Sequence, residues 1–224
     1  MEMKTYTVHS AASVPALDAD WEAPCWAAAE TAAVDFFYPR SSDHHPDVRV
    51  RLLRASTGLH GIFHVRDRYV RSLSTAYMQA VYQDACVEFF VKPAADKGYI
   101  NFEMNAGGAL LCTYITDPTR TPGGFAAFSS IPLEDARQVR IRSTLPPQVD
   151  PEIEGPLTWA LEFFIPFALL EKYAGPLDSS PGQVWRANFY KCAENNSHPH
   201  WASWNPLPAL NFHQPDGFGR LVFA

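Results

Sequence analysis

Residues 99–105 read Tyr99-Ile100-Asn101-Phe102-Glu103-Met104-Asn105, and residues 185–191 read Trp185-Arg186-Ala187-Asn188-Phe189-Tyr190-Lys191. Both stretches alternate strictly between an apolar side chain and a polar or amphipathic one. Successive side chains of a β-strand point to opposite faces of its sheet, so each stretch is predicted to be a strand with one apolar and one polar face. The apolar faces, which include Phe102, Met104 and Phe189, are predicted to point into a hydrophobic core.

The polar faces of these two strands differ from an ordinary solvated sheet surface, which usually carries Thr, Lys, Ser and Glu. They carry amides, a carboxylate, a guanidinium and a phenol, which are groups that hydrogen-bond well to hydroxyl-rich ligands. We therefore predict a ligand-binding face that contains Asn101, Glu103, Asn105, Arg186, Asn188 and Tyr190.

The same alternation recurs along most of the chain. Turn-forming sequences such as Ser56-Thr57-Gly58 separate the alternating segments, which is typical of all-β sandwiches and barrels. We predict an all-β fold, an antiparallel, jelly-roll-like β-sandwich with one or two short helices. Pro166 favours the start of a helix over 166–173, and Gly175 favours its end. The predicted strands are 48–52, 59–65, 85–91, 99–105, 108–115, 138–144, 157–165, 184–192 and 218–223.

The length of the chain, 224 residues with 47% hydrophobic side chains, is enough for a sizeable core. Two segments that contain Pro and Gly, 116–130 and 145–156, are predicted to be surface loops. Neither has the length or the low complexity of an interdomain linker. We therefore predict a single domain across residues 1–224.

The charge pattern disfavours some classes of partner. With 18 Lys and Arg against 24 Asp and Glu, the chain has a formal net charge of −6 and no strongly basic segment, which argues against nucleic acid binding. No segment is apolar enough to predict a membrane span, and residues 1–6 lack the apolar region of a secretory leader. The sequence thus predicts a cytoplasmic protein by default, unless a leader was removed, and leaves the oligomeric state open.

Two predictions concern side chains inside the fold. Cys86 and Cys112 lie in apolar segments, which favours small buried side chains over a disulfide or a metal site. Glu162 lies among hydrophobic residues, and a buried carboxylate needs a partner. We predict a structural ion pair between Glu162 and Arg186.

The stretch Asp84-Ala85-Cys86-Val87-Glu88-Phe89-Phe90 adds a carboxylate to the predicted binding face. Val87 and Phe89 would face the core, so Glu88 would point to the opposite side. Asp84, at the start of this strand, is predicted either to cap a turn or to bind calcium, because calcium prefers oxygen ligands.

Aromatic side chains near the C-terminal end supply candidate stacking residues. Trp201 and Trp204 lie in a polar, Pro-bounded segment, and an indole ring offers a large, rigid surface on which a sugar ring can stack. Trp204 is equally compatible with a place in the core. His213 lies next to a Pro-Asp-Gly turn and is a candidate ligand contact.

Several motifs follow one another in a recognisable order. They are Trp21, Asp84-x-x-Val-Glu-Phe-Phe, Tyr99-x-Asn-Phe-Glu-x-Asn-x-x-Gly, Trp159-x-x-Glu-x-x-Ile-Pro-Phe, Trp185-Arg-Ala-Asn-Phe-Tyr and His213-x-Pro-x-x-Phe-Gly. In this order they resemble the carbohydrate-binding module family 9-like domains, which are related to the wider DOMON-like β-sandwich group. The resemblance extends roughly from Trp21 to Phe223.

The resemblance implies an antiparallel β-sandwich that binds a saccharide without catalysis, in polysaccharide or glycan breakdown. It implies that two aromatic side chains hold the sugar, Tyr82 with Trp201 or Trp204, and that Glu88 contacts its hydroxyl groups. It implies no required cofactor, although some family members carry structural calcium. Tyr82 stands where the family has Trp, and the spacing between Asp84 and Glu88 is one residue longer than in sugar-binding members.

Three alternatives stay open at this point. Glu88 and Glu103 could form the paired acid and base of a glycoside hydrolase, which needs carboxyl groups about 5–9.5 Å apart. Met104 and a histidine could bind haem as in some DOMON-like relatives, although Met104 is predicted to face the core. The polar face could also bind another protein through its aromatic and Arg side chains.

Overall fold

The computed structural model describes residues 3–224; Met1 and Glu2, which the predicted domain includes, lie outside the described residues. The strands are β1 (Thr5–Ser10), β2 (Ala32–Ala33), β3 (Phe36–Phe37), β4 (Asp47–Ala55), β5 (Gly58–Asp67), β6 (Val70–Ser72), β7 (Cys86–Lys92), β8 (Tyr99–Asn105), β9 (Leu110–Thr121), β10 (Gly124–Ser130), β11 (Arg140–Ser143), β12 (Val149–Ile153), β13 (Leu157–Pro166), β14 (Val184–Ala193), β15 (His200–Ser203) and β16 (Gly219–Phe223). The α-helices are α1 (Leu133–Ala136) and α2 (Phe167–Ala174).

Two layers of strands form a β-sandwich. The first sheet runs in the order β10-β9-β8-β7-β14-β16-β1, and the second runs in the order β1-β4-β5-β13-β11. All neighbours in this path are antiparallel except β1, which pairs in parallel with β16 in the first sheet and with β4 in the second. The predicted all-β sandwich is confirmed, and the parallel strand β1 is a local departure from the antiparallel pattern.

The core lies between the two sheets and contains the apolar faces that the alternation predicts. Phe89 of the first sheet stacks on Phe163 of the second with ring centroids 5.7 Å apart, and Phe63 contacts Phe189 edge to face at 6.1 Å. Met104 is fully buried in the same core. Because each aromatic side chain removes a large apolar area from water, this layer supplies much of the stabilising free energy.

The predicted strands all have counterparts, but the two predicted loops are wrong in part. Segment 116–130 continues β9 to Thr121 and returns as β10, so it is largely a β-hairpin. Segment 145–156 contains β12, which pairs with β6. Strand β10 exposes most of its side chains, so it has no buried face to produce an alternating pattern.

The predicted helix forms as α2, one residue later than expected. Pro166 is the residue before the helix, because it is also the last residue of β13. Gly175 follows the helix with φ of 79°, a conformation that favours glycine, so its predicted role as the stop is confirmed. Within residues 3–224, no helix has the length and apolar character needed to cross a membrane.

The predicted ion pair between Glu162 and Arg186 is wrong. Glu162 Oε2 accepts a hydrogen bond from the backbone N–H of Ala19 at 2.8 Å, and burial raises the pKa of this carboxyl group. Arg186 instead donates to the backbone oxygens of Asp216 and Phe218. The two side chains lie in different sheets, which the alternation alone did not reveal.

Candidate functional site

A cavity of about 1070 Å3 lies over the face of the first sheet that points away from the core. Strands β7, β8 and β9 form its floor, and the loops on either side of β15 form part of its wall. The lining residues are Arg40, Met78, Tyr82, Glu88, Asn101, Glu103, Leu111, Thr113, Arg120, Phe125, Cys192, Glu194, Asn195, Pro199, Trp201, Leu210, Asn211, Phe212 and His213.

Two carboxyl groups lie side by side on the floor. Glu88 of β7 and Glu103 of β8 are directly paired across the two strands, while their neighbours Phe89 and Phe102 point into the core. Side chains of directly opposed residues start about 4.5–5.5 Å apart at Cβ. Both glutamates are buried in the protein and line the cavity.

A chain of hydrogen bonds fixes the orientation of Glu103. The backbone N–H of Thr113 donates to Asn101 Oδ1 at 2.8 Å, which leaves Asn101 Nδ2 to donate to Glu103 Oε1 at 2.7 Å. The second oxygen, Glu103 Oε2, is buried and has no hydrogen-bond partner in the described residues. A buried polar atom without a partner costs free energy, so a hydrogen bond donated to this oxygen would be stabilising.

Burial shifts the protonation of both carboxyl groups. Burial raises the pKa of Glu88 well above its usual range, and the nearby Cys192 and Glu103 side chains raise it further. Burial also raises the pKa of Glu103 to about 7, while the hydrogen bond from Asn101 and the positive charge of Arg120 oppose this increase. The raised pKa of Glu88 favours its protonated form, which can donate as well as accept a hydrogen bond.

Two aromatic side chains lie at the rim of the cavity. Tyr82 follows the start of a short 3-10 turn and is 36% exposed. Trp201 of β15 is half-buried, and its Nε1 donates to Glu194 Oε1 at 3.3 Å. The guanidinium of Arg40 lies 5.4 Å from the Trp201 ring.

His213 and Phe125 lie at the opposite side of the floor, next to Tyr99. The His213 Nδ1 and Tyr99 hydroxyl atoms are 2.8 Å apart, and the His213 and Phe125 ring centroids are 4.5 Å apart. Burial, assisted by the positive charge of Arg120, lowers the pKa of His213 to about 3. This histidine is therefore neutral at physiological pH.

One half of the predicted polar face is covered by the chain itself. Asn188 Nδ2 donates to the backbone oxygen of Asn205 at 2.9 Å, and Asn188 Oδ1 accepts from the backbone N–H of Asn205 at 2.9 Å. Tyr190 stacks on Phe212 with centroids 4.1 Å apart and donates its hydroxyl to the Phe212 backbone oxygen. Together with the contacts of Arg186 described above, these bonds hold residues 205–218 over β14. The prediction that Arg186, Asn188 and Tyr190 line the ligand-binding face is therefore corrected.

Asn105 and Asp84 also have structural partners instead of lining the cavity. Asn105 Nδ2 donates to Asp84 Oδ2 at 2.8 Å, and Asp84 accepts two further hydrogen bonds from the backbone N–H groups of Leu73 and Ser74. Asp84 thus fixes a turn, the first of its two predicted roles. Within residues 3–224, no group of three His, Cys, Asp or Glu ligands includes Asp84, and calcium binding at Asp84 stays a prediction.

The two tryptophans have different positions. Trp204 is 4% exposed and packs in the core against Phe189, with centroids 5.4 Å apart, so its predicted role as a stacking residue is corrected. Trp201 is the tryptophan of this pair that lines the cavity. Of the predicted ligand contacts, the cavity brings together Tyr82, Glu88, Asn101, Glu103, Trp201 and His213.

Several lining residues on the hairpin formed by β9 and β10 were not predicted from the sequence. Arg120 and Phe125 lie in a segment that was predicted to be a loop, and the Arg120 guanidinium lies 4.3 Å from the Phe125 ring. This part of the hairpin is mostly exposed and contains Thr and aromatic residues, and its local composition does not distinguish it from a turn. Arg40, Glu194 and Phe212 lie in irregular segments, where no periodic pattern could have pointed to them.

The sequence matches the family model described as carbohydrate-binding family 9 over residues 25–223, which is most of the chain. The chain belongs to carbohydrate-binding family 9. No curated protein matches it. The family membership confirms the resemblance drawn from the ordered motifs, and it confirms non-catalytic carbohydrate binding as the function of this class of domain.

Solved structures agree with the family 9 assignment. A proposed carbohydrate-binding protein from Bacteroides uniformis is 26% identical, with a TM-score of 0.84 over 100% of both chains. A family 9 module from Caldicellulosiruptor kristjanssonii in complex with cellotriose has a TM-score of 0.66 at 14% identity, over 98% of this chain and 93% of that one. The glucose complex of a family 9 module from the same organism has a TM-score of 0.65 at 14% identity, over 97% and 95%. The latter two show that the fold is shared.

Proposed function

We propose that the cavity over β7, β8 and β9 binds a saccharide, held between Tyr82 and Trp201 and hydrogen-bonded to Glu88, Asn101 and Glu103. The observation that carries this proposal is the buried, unpartnered Oε2 of Glu103 in a cavity that also has two aromatic side chains at its rim. A sugar ring offers both groups that such a site needs, a set of hydroxyls and an apolar face of C–H groups.

The floor of the cavity can both accept hydrogen bonds from sugar hydroxyls and donate hydrogen bonds to them. A hydroxyl that donates to Glu103 Oε2 would remove the cost of an unpaired buried oxygen, worth about 1–3 kcal/mol. Protonated Glu88 can donate to a neighbouring hydroxyl oxygen. The existing bond from Asn101 keeps Glu103 in place before the ligand arrives, which lowers the entropic cost of binding.

Two structural neighbours support a choice of first ligand. The two Caldicellulosiruptor kristjanssonii modules were solved with cellotriose and with glucose, so we propose a β-glucan fragment or its terminal sugar as the first ligand to test. A role in polysaccharide or glycan breakdown stays a prediction.

Calorimetric titration of the chain with cellotriose and glucose tests the proposal. Trp201→Ala and Tyr82→Ala should each lower affinity by at least about 2 kcal/mol, roughly 30-fold, because each removes one of the two proposed stacking surfaces. Glu103→Gln should lower it by about 1 kcal/mol, since a neutral amide replaces a charge-assisted acceptor.

A matched control is Trp21→Ala. Trp21 is half-buried, lies outside the cavity and packs under the guanidinium of Arg51 at 4.0 Å, so its removal should leave saccharide affinity unchanged. Circular dichroism of each variant excludes unfolding as the cause of lost binding. Equal affinity for Trp201→Ala and the wild type would refute the proposed site, and no binding of either sugar by the wild type would refute the ligand class.

A further inference from the structure

Two cysteines and a glutamate meet at the floor of the cavity. Cys86 of β7 and Cys192 of β14 are directly paired across the two strands, and Glu88 lies two residues after Cys86 on the same face. One ligand atom from each residue, two sulfurs and a carboxylate oxygen, lies within 4.8 Å of the other two. All three side chains are buried, and both cysteines are free thiols.

This geometry is close to that of a tetrahedral metal site. Thiolate sulfur binds zinc at about 2.3 Å and carboxylate oxygen at about 2.0–2.2 Å, which places tetrahedral ligand atoms roughly 3.5–3.8 Å from one another. The observed separations therefore need only small side-chain rotations to reach bonding distance. A pair of thiolates selects zinc and other thiophilic ions over calcium and magnesium, which prefer oxygen.

The hydrogen bonds around the cluster join two of its members and leave one neighbouring oxygen unpaired. Cys192 Sγ, a weak donor, lies 3.1 Å from Glu88 Oε1. Glu103, paired with Glu88 across β7 and β8, keeps its buried Oε2 without a hydrogen-bond partner in the described residues. Glu88, Glu103 and Cys192 line the same cavity.

We propose that Cys86, Cys192 and Glu88 bind a zinc ion at the floor of the cavity, with a water molecule as the fourth ligand. The ion reaches this position through the cavity, because Glu88 and Cys192 both line it. Binding releases the thiol protons to solvent, since zinc binds the thiolate form. Glu88 is also a contact of the proposed saccharide site, so the two sites share this residue. The test of the zinc site contains no saccharide, so the two proposals succeed or fail separately.

Titration of the reduced chain with Cd2+, monitored by the ultraviolet thiolate-to-metal charge-transfer absorption, tests the site. We expect saturation at one equivalent per chain and displacement of Cd2+ by Zn2+. Cys86→Ser and Cys192→Ser should each weaken binding at least tenfold. Cys25→Ser is the matched control, because Cys25 is a free, half-buried thiol outside the cavity, and this variant should bind as the wild type does.

A second measurement needs only the wild-type chain, so that a poorly folding variant does not decide the outcome. Zinc K-edge X-ray absorption of the chain loaded with one equivalent of Zn2+ should show two sulfur ligands at about 2.3 Å. A shell of nitrogen and oxygen alone would overturn the proposal. It would equally be overturned if Cd2+ produced no saturable absorption, or if Cys25→Ser removed that absorption while Cys86→Ser did not.

Discussion

Replacement of Asn188 by Ala tests whether this side chain fastens residues 205–218 to the sheet. The Asn188 carboxamide makes three buried hydrogen bonds: Nδ2 donates to the Asn205 oxygen, and Oδ1 accepts from the N–H groups of Asn205 and Phe189. Asn188→Ala removes all three at once and leaves three backbone groups without that partner.

The expected loss of stability follows from these three groups. A buried backbone group that loses its partner costs about 1–3 kcal/mol. Because water can reach some of them once the side chain is shortened, we take the lower value for each, which gives a loss of about 3 kcal/mol in the free energy of unfolding. Since residues 210–213 form a wall of the cavity, saccharide affinity should fall as well.

Urea unfolding monitored by tryptophan fluorescence measures the change in stability. The transition midpoint should fall while its slope with urea stays the same. Asn195→Ala is the matched control, because the Asn195 side chain is exposed and its Nδ2 bonds only to Gln83 Oε1 at 3.2 Å; it should change stability by less than about 0.5 kcal/mol. A loss below about 1 kcal/mol for Asn188→Ala would refute the role assigned to this side chain.

Three further predictions concern single positions away from the cavity. His60 is 1% exposed with no hydrogen-bond partner in the described residues, and burial lowers its pKa to about 4. The unfolded chain therefore binds a proton near pH 6.5 before the folded one does, and up to about 3 kcal/mol of stability is lost as pH falls from 7 to 4. Urea unfolding at both pH values should show a smaller loss for His60→Phe, and an equal loss would contradict this. A Cβ at position 61 would lie 2.1 Å from Phe163 Cζ, so Gly61→Ala should lower stability by about 1–3 kcal/mol in thermal unfolding. An unchanged midpoint of thermal unfolding would show that the Phe163 ring can move. Asp84→Asn replaces an acceptor by a donor that faces the Ser74 N–H, and should lower the free energy of unfolding by about 2 kcal/mol in the same assay. A rise in the wild-type midpoint on calcium addition would instead indicate that Asp84 is a metal ligand.

The sequence was sufficient for the strands that bury one face. Strands β7, β8 and β14 were predicted to within two residues at each end, because one side of each meets the core and the other meets polar surroundings. Strand β10 was missed because neither of its faces is buried. Apolar and polar residues alternate only where one face of a strand is buried, so a strand without a buried face shows no alternation.

The candidate site was predictable only in part, for a related reason. Alternation placed Glu88, Asn101, Glu103, Asn188 and Tyr190 on the outer face correctly. It did not reveal which part of that face residues 205–218 cover, because this depends on the path of an irregular segment. Trp201 and Trp204, three residues apart, likewise differ in burial because the chain turns after β15.

The parallel pairing of β1 bears on how the chain is made in the cell. Tyr6 pairs with Leu221 of β16 and Val8 with Phe223, so the first strand of both sheets depends on the last strand in sequence. At about 5–20 residues per second, a ribosome needs roughly 10–40 s to synthesise the residues between them. During that interval the Thr5–Val8 part of β1 lacks its β16 partner and stays open to other strands. The edge of β14 that β16 covers is open from the synthesis of β14 until β16 is made. Slow translation or early termination would thus expose sheet edges, which is a route to aggregation rather than to a smaller folded domain.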